Sequence, residues 1–370
     1  MIQKKTVFFL FDLGLGGTEQ VIVKLSNYLI TQGQDVHILC IGERDDFLNK
    51  LNNKVTISNF GKKKIYESFL PLIKFIRNEK FDSFVSNVWP LTFISVVSGF
   101  FSKGFLKKLI LIEHCHLKEE FKKRGSLFKL FQKISIRVFH NFSRKVVCVS
   151  SGVQDDLVSK GVKETKTKVI YNPAYPSQID MEEYSNQGNE KWLREGKIKL
   201  IAVGNLKTQK NYPNLISAVE LLKKESNLEP HLLILGEGPE RDKLENMIQK
   251  KGLEENISLM GLNPNPLALV KKADVFVLPS NYEGFGLVIV EALSVGVTVV
   301  STDCLSGPSE IIKENEFGYL CKVDDPGDLA KKINFAFNNK IDPEKLKNRS
   351  KDFSIETIGP IYKELLDFPS

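Results

Sequence analysis

Two glutamates, Glu283 and Glu291, stand with seven residues between them, and the first lies in the run Pro279-Ser280-Asn281-Tyr282-Glu283-Gly284-Phe285-Gly286-Leu287. That run follows an apolar segment and leads into a helical one, so Glu283 sits in a loop and Glu291 about one and a half turns into the helix, where both can face one ligand. Carboxylates beside a phosphate site usually accept from hydroxyls, as an acidic residue does with ribose in dinucleotide folds. Each glutamate read alone would be a solvated charge. Upstream, Val203-Gly204-Asn205-Leu206-Lys207-Thr208-Gln209-Lys210-Asn211 ends another apolar run, and its lysines and loop amides suit a diphosphate. Leu235-Gly236-Glu237-Gly238-Pro239 supplies a second glycine turn of the same kind.

The first half carries its own chemistry-bearing loops. Gly14-Leu15-Gly16-Gly17-Thr18-Glu19 joins a strand to a helix, and its small residues let a phosphate or a sugar hydroxyl approach backbone amides at the positive helix end. A dinucleotide fingerprint needs a third glycine where Glu19 stands, which removes the best evidence for a nicotinamide cofactor. A tight turn without ligand is the structural alternative. Past the apolar run at 109–112 come Glu113-His114-Cys115-His116, where a histidine can donate, accept or orient near neutral pH. His114 and His116 at strand spacing would share a face and could hold zinc, but no third ligand is evident and no metal is expected. A satisfied structural histidine is the plainer reading of His114.

These loops need strands to present them. Apolar β-prone runs at 7–11, 36–41, 84–88, 109–112 and 146–149 alternate with amphipathic segments such as 18–32, the pattern of a parallel sheet flanked by helices. A second series has strands at 199–203, 231–235, 257–260, 275–278 and 298–301, with helices at 212–224, 241–251 and 287–294. The expected organisation is a Rossmann-like domain over 1–175, a polar linker at 176–197 and a second Rossmann-like domain over 198–351. A closing helix over 352–370 is expected to pack back on the first domain. Tandem α/β domains place a cleft between them, and open sheets bind ligands beyond the carboxyl ends of their strands.

Composition bounds the rest. The 370 residues are 42% apolar and 26% charged, which excludes disordered and collagen-like chains. The five cysteines are odd in number and form no C-x-x-C pair, which fits free thiols in a reducing, cytoplasmic setting. Met1-Ile2-Gln3-Lys4-Lys5 and the apolar run after it imitate a signal peptide, but Asp12 ends the run early and a first buried strand is expected. The longest other apolar run, 91–101, is too short to span a membrane.

The net charge of +7 is concentrated: residues 101–145 hold 12 basic and three acidic residues, an excess of nine. Within that segment Leu127, Phe128, Phe131, Ile134 and Val138 interleave with Lys129, Lys133 and Arg137 at helical spacing. A basic amphipathic helix suits an anionic membrane surface, with peripheral docking at the inner face of the cytoplasmic membrane. A helix packed on its own domain with a solvated basic face is the competing reading. Nucleic acid is not expected as a partner, since no stacking platform or recognition motif accompanies the charge.

Taken together these residues resemble retaining family 4 glycosyltransferases of the GT-B fold, whose E-x7-E motif Glu283 and Glu291 match within Glu-Gly-Phe-Gly. The resemblance extends over nearly the whole chain through Gly16-Gly17, His114, Val149-Ser150-Ser151-Gly152-Val153, Val169-Ile170-Tyr171-Asn172-Pro173, Val203-Gly204-Asn205-Leu206 with Lys210-Asn211, and Thr302 through Ile311. It implies a nucleotide-sugar donor held mainly by the second domain and an acceptor held by the first. Lys210 would bind the diphosphate and Glu291 the ribose hydroxyls. Glu283, Gly284 and the Phe285-Gly286-Leu287 backbone would hold the donor sugar and phosphate, with Gly204 and Asn205 lining the donor. His114 would line the sugar near the reacting carbon, and Gly16 and Gly17 would approach the phosphate. The family usually has Arg at the position of Asn205, and a neutral amide cannot replace a guanidinium fork. Diphosphate binding would then lean on Lys210, loop amides or Lys207.

The expected activity is a metal-independent, retaining hexosyl transfer, without a cofactor, from a nucleotide sugar, UDP-linked as in similar bacterial enzymes, to a saccharide or polyprenyl-diphosphate-linked acceptor in surface polysaccharide, lipopolysaccharide or capsule synthesis. No D-x-D triplet occurs in the sequence, which agrees with independence from metal. A non-catalytic partner subunit and a nucleotide-sugar epimerase of related architecture are the alternatives.

Overall fold

A computed structural model describes residues 4–116, 124–176, 192–193, 197–225, 229–313 and 315–367. The chain divides into two compact units, one of residues 1–173 with 354–370 and the other of residues 174–353. Most of the 176–197 segment lies outside the described residues.

The first unit is a seven-stranded parallel sheet in the order β3-β2-β1-β4-β5-β6-β7. Its strands are β1 (Lys5–Leu10), β2 (Asp35–Cys40), β3 (Thr56–Asn59), β4 (Ser83–Asn87), β5 (Leu109–Glu113), β6 (Lys145–Cys148) and β7 (Thr167–Val169). The central strands are buried on both faces, which is why Val7, Phe8, Phe9, Ile110, Leu111 and Ile112 read as unbroken apolar runs. β3 and β7, which the apolar runs do not announce, are the two edges.

The helix Ile355–Asp367 closes this unit. It lies against the helix Gly17–Thr31, where a Cβ on Gly359 would come 2.7 Å from the Tyr28 ring. Its last carbonyls would otherwise lack partners. Ser83 Oγ donates to the Leu366 carbonyl at 2.9 Å, Lys4 Nζ to that of Asp367 at 2.5 Å, and Arg144 to that of Leu365. Two of these donors are cations at the negative end of the helix dipole.

The second unit repeats the plan with six parallel strands in the order β10-β9-β8-β11-β12-β13. They are β8 (Ile198–Val203), β9 (Pro230–Leu235), β10 (Ile257–Gly261), β11 (Val275–Leu278), β12 (Val299–Thr302) and β13 (Tyr319–Cys321). The helices Tyr212–Glu225 and Pro326–Asn338 pack on one face, with Leu215, Val219, Leu232, Ile234, Leu329 and Ile333 in their core. In each unit the strand order reverses beside the first strand, between β1 and β4 and between β8 and β11. Open α/β sheets bind ligands at such a switch point, past the carboxyl ends of the strands.

Candidate functional site

The second unit's switch point assembles the loops after β8, β9 and β11. The two glycine turns press backbone on backbone: a Cβ on Gly236 would sit 2.1 Å from the Gly204 carbonyl oxygen, and one on Gly238 2.5 Å from that of Leu206. Leu206 N–H donates to the Glu237 carbonyl at 2.9 Å and locks the two loops. Asn205 and Lys207 are exposed at their outer edge. The chain then makes one 3-10 turn, Thr208–Lys210, and Asn211 ends it in the left-handed region (φ 48°). Asn211 tolerates that backbone and uses its amide to donate to Asn281 at 2.9 Å and to Asp324 at 3.2 Å. Tyr212 O–H donates to the Gly204 carbonyl at 3.0 Å, and burial pushes its phenol upward.

Lys210 and Glu283, 73 residues apart in sequence, meet here because β8 pairs directly with β11. Lys210 Nζ lies 2.7 Å from Glu283 Oε1, and the side chains are only 15% and 8% exposed. The same oxygen accepts from Ser280 Oγ at 2.6 Å, and Ser306 Oγ donates to the Glu283 carbonyl at 3.2 Å. Burial, reinforced by the Glu283 carboxylate, pushes the nearby Cys304 thiol up to about 12. Lys210 is therefore held in place by a buried carboxylate, with two of its three N–H donors left for another acceptor at Nζ.

The rest of the Glu283 loop is shaped by backbone. Phe285 turns its ring into the core, 5.3 Å from Phe353, so only its main chain is available to a ligand. Gly307 (φ 94°) passes so close that a Cβ there would lie 2.2 Å from the Phe285 carbonyl oxygen. Gly286 (φ 96°) turns the chain into the helix Leu287–Ser294, whose N-terminal amides follow Leu287 and which carries the half-buried Glu291.

In the first unit, Asp12 accepts from Gly14 N–H at 2.9 Å, and Gly16 caps the helix that begins at Gly17. The Glu19 carboxylate folds over this turn, 2.1 Å from where a Cβ on Gly16 would be. His114 follows β5, and its Nε2 lies 3.2 Å from Oδ1 of Asn87 at the end of β4. Although the ring keeps some access to solvent, desolvation pushes its pKa down to about 3 and holds it neutral. The idea that His114 and His116 share a strand face fails. β5 ends at Glu113, and His116 turns to Asp156 instead, 3.7 Å away. No group of three metal-binding side chains occurs among the described residues.

The model described as Glycosyltransferase Family 4 matches residues 15–178, and that described as Glycosyl transferases group 1 matches residues 185–353. Between them they take in nearly all of both units. The chain belongs to these glycosyltransferases. A Campylobacter jejuni relative, N-acetylgalactosamine-N,N'-diacetylbacillosaminyl-diphospho-undecaprenol 4-alpha-N-acetylgalactosaminyltransferase, is 27% identical over 95% of this chain and 96% of its own. A solved glycosyltransferase from Rickettsia africae superposes with a TM-score of 0.76 at 17% identity, over 98% of each chain. Anabaena HepE in complex with UDP superposes with a TM-score of 0.75 at 18% identity, over 98% of this chain and 99% of that one. The fold of this glycosyltransferase is thus GT-B.

Three side chains of this glycosyltransferase escape the sequence reading. Asn87 orients His114, Ser280 shares the Glu283 oxygen with Lys210, and Glu113 is fully buried beneath the His114 loop. Glu113 accepts from Trp89 N–H at 3.1 Å and Thr92 O–H at 2.8 Å, and meets His140 Nε2 at 2.9 Å. Its position directly before His114 was the available signal, because a charge ending an apolar strand requires partners when buried.

Proposed function

We propose that this glycosyltransferase moves a hexose or N-acetylhexosamine from a UDP-linked donor to a saccharide acceptor carried on a polyprenyl diphosphate, with retention of configuration and without a metal. The observation that carries the reading is the buried Lys210–Glu283 pair at the second unit's switch point. The undecaprenol-linked substrate named for the Campylobacter jejuni relative and the UDP in the Anabaena complex support the choice of acceptor and donor class.

Glycosyl transfer passes through an oxocarbenium-like state while negative charge grows on the departing diphosphate. Lys210 would meet that charge with the donors that Glu283 leaves available, helped by amides of the Gly204 and Gly286 turns. Asn205 adds no charge here, so Lys210 carries the larger share. Glu283 would accept from donor-sugar hydroxyls and Glu291 from the ribose. His114, neutral at physiological pH, would act near the reacting carbon as a hydrogen-bonding group rather than as a cation. The acceptor proton would pass to the departing phosphate oxygen, on the face from which attack occurs.

The segment with the charge excess would dock this enzyme on an anionic membrane. The helix Ser126–Phe139 buries Gln132, Ser135 and Ile136, while Leu127, Leu130, Phe131 and Ile134 are 50–84% exposed among Lys129, Lys133 and Arg137. Large apolar side chains left exposed beside cations suit an interface with lipid. Residues 117–123, inside the basic segment, lie outside the described residues.

A thermal-shift panel of UDP, GDP and ADP sugars, followed by transfer to a polyprenyl-diphosphate acceptor, tests the reading. The melting temperature should rise with UDP sugars, by mass action on the folded state. No shift with any of them would sink the donor assignment, and sugar modification without an acceptor would make the protein an epimerase.

A further inference from the structure

The first unit holds a cation-lined cavity at the opposite end of its sheet from His114 and the Gly16 turn. It has a volume of about 480 Å³ and is formed where β5, β6 and β7 begin. Five cations line it, Lys107, Arg144, Lys145, Lys166 and Lys168, against the single carboxylate of Glu364. Burial lowers the pKa of Arg144, as expected of a cation withdrawn from water.

Among the described residues, no ion pair joins Lys107, Lys145, Lys166 or Lys168 to a carboxylate. Lys145 instead donates to the Thr165 carbonyl at 2.9 Å, and Lys166 to the Ser143 carbonyl at 2.8 Å. These bonds fix the ammonium groups at the wall without neutralising them, and each retains N–H donors for a further acceptor. Such a concentration of uncompensated charge around a concave site is what an anion of two or more charges needs.

The remaining wall is apolar. Leu106 and Leu365 line it, and Phe142, 48% exposed, stands at its rim. Phe142 packs on Phe100 at 5.1 Å, and ring contacts continue through Phe139 and Phe93 to Phe131 on the exposed face of the helix Ser126–Phe139. An apolar path therefore runs from the basic cavity to the surface assigned above to lipid.

We propose that this cavity is a separate binding site for a phosphate-bearing group attached to an apolar body, distinct from the donor site of the second unit. Phosphates fit the lysines and arginine, and the aromatic path fits the apolar body. The site lies beyond the transfer chemistry, so its loss affects attachment and leaves turnover of a water-soluble acceptor unchanged.

The test uses the full chain with UDP saturating the donor site, and the variants K107E and K166A/K168A. Calorimetry measures binding of inorganic pyrophosphate, and sedimentation measures binding to phosphatidylcholine vesicles with and without phosphatidylglycerol. Affinity for pyrophosphate should fall roughly fivefold or more for each cation removed. Transfer to a water-soluble acceptor and the UDP-induced thermal shift should stay at wild-type values, which also shows that the variants fold. If pyrophosphate also releases the protein from phosphatidylglycerol vesicles, the phosphate is a lipid headgroup. If it binds while vesicle affinity is the same in K107E and wild type, the ligand is a soluble phosphate compound. Serine at Leu127 and Phe131 should weaken vesicle binding without touching pyrophosphate affinity, which separates this site from the helix-face reading. Equal pyrophosphate and vesicle affinities in both cavity variants and wild type would overturn the proposal.

Discussion

Lys210 Nζ and Glu283 Oε1 lie 2.7 Å apart in a pocket of backbone turns, so the cation expected to meet a diphosphate is positioned by the carboxylate expected to meet the sugar. The two roles are therefore coupled. Lys210→Ala should lower the transfer rate by about two to three orders of magnitude, the usual loss for one donor aimed at developing negative charge. Glu283→Gln should lower it comparably, and the double variant should be little worse than either alone, since groups acting as a unit are non-additive. Steady-state kinetics of the three proteins check this; strictly additive losses would separate the two residues.

Stability should also register the pair. Removing Lys210 leaves Glu283 buried with Ser280 as its remaining side-chain partner among the described residues, and breaking a buried pair from one side costs about 3–5 kcal/mol. The same logic applies with more force to Glu113, whose carboxylate serves Trp89, Thr92 and His140 at once. Glu113→Gln should destabilise the chain by about 3–5 kcal/mol in urea unfolding. It should also lower kcat more than it raises KM, because the His114 loop rests on that carboxylate. An unchanged unfolding midpoint would show that the network is not needed.

The depressed pKa of His114 gives a pH dependence of defined sign. An unfolded chain carries a histidine with a pKa near 6.5, whereas the folded one stays neutral down to about 3. The unfolded state therefore binds more protons below pH 6.5, and stability falls as pH drops from there, by up to about 1.4 kcal/mol per pH unit. Burial lowers His37 in the same sense. Above pH 7 neither contributes. The imidazole resonances of His114 should not titrate between pH 8 and 5, and His114→Gln should flatten the stability profile over that window. A titration midpoint near 6.5 in the folded protein would refute the assignment.

The interior of each sheet is legible in the sequence because parallel strands covered on both faces must be continuously apolar, as Val7–Phe9 and Val275–Leu278 are. The edges are not. Thr56–Asn59, Thr167–Val169 and Tyr319–Cys321 are short, partly exposed edge strands whose residues carry no periodic signal. The spacing of Glu283 and Glu291 is local and can be read directly, whereas the Lys210–Glu283 contact depends on β8 lying beside β11. The same holds for Asn87 and His114, which become neighbours only because β4 pairs with β5. The sequence leaves the basic helix with two readings, a lipid-facing one and a packed one, for a different reason. Periodicity marks an amphipathic face without saying which side the domain buries, and here Ser135 is needed inside, accepting from the Trp89 indole N–H at 3.1 Å.

That exposed apolar face yields a prediction in which stability and attachment separate. Leu127 is 84% exposed and Ile134 50% exposed, so replacing both by serine removes little buried surface and should change stability by less than about 0.5 kcal/mol. If the face meets lipid, the same substitutions forfeit the transfer of two large apolar side chains, about 1.5–3 kcal/mol each when fully buried. Vesicle affinity should then fall by about two to four orders of magnitude, while Lys129→Glu with Lys133→Glu should weaken binding chiefly at low salt, where the charges are least screened. Sedimentation with phosphatidylglycerol vesicles at two ionic strengths reads both effects. Loss of stability without loss of vesicle affinity would instead make this face part of the fold, because only a face covered by protein needs those side chains in the absence of lipid.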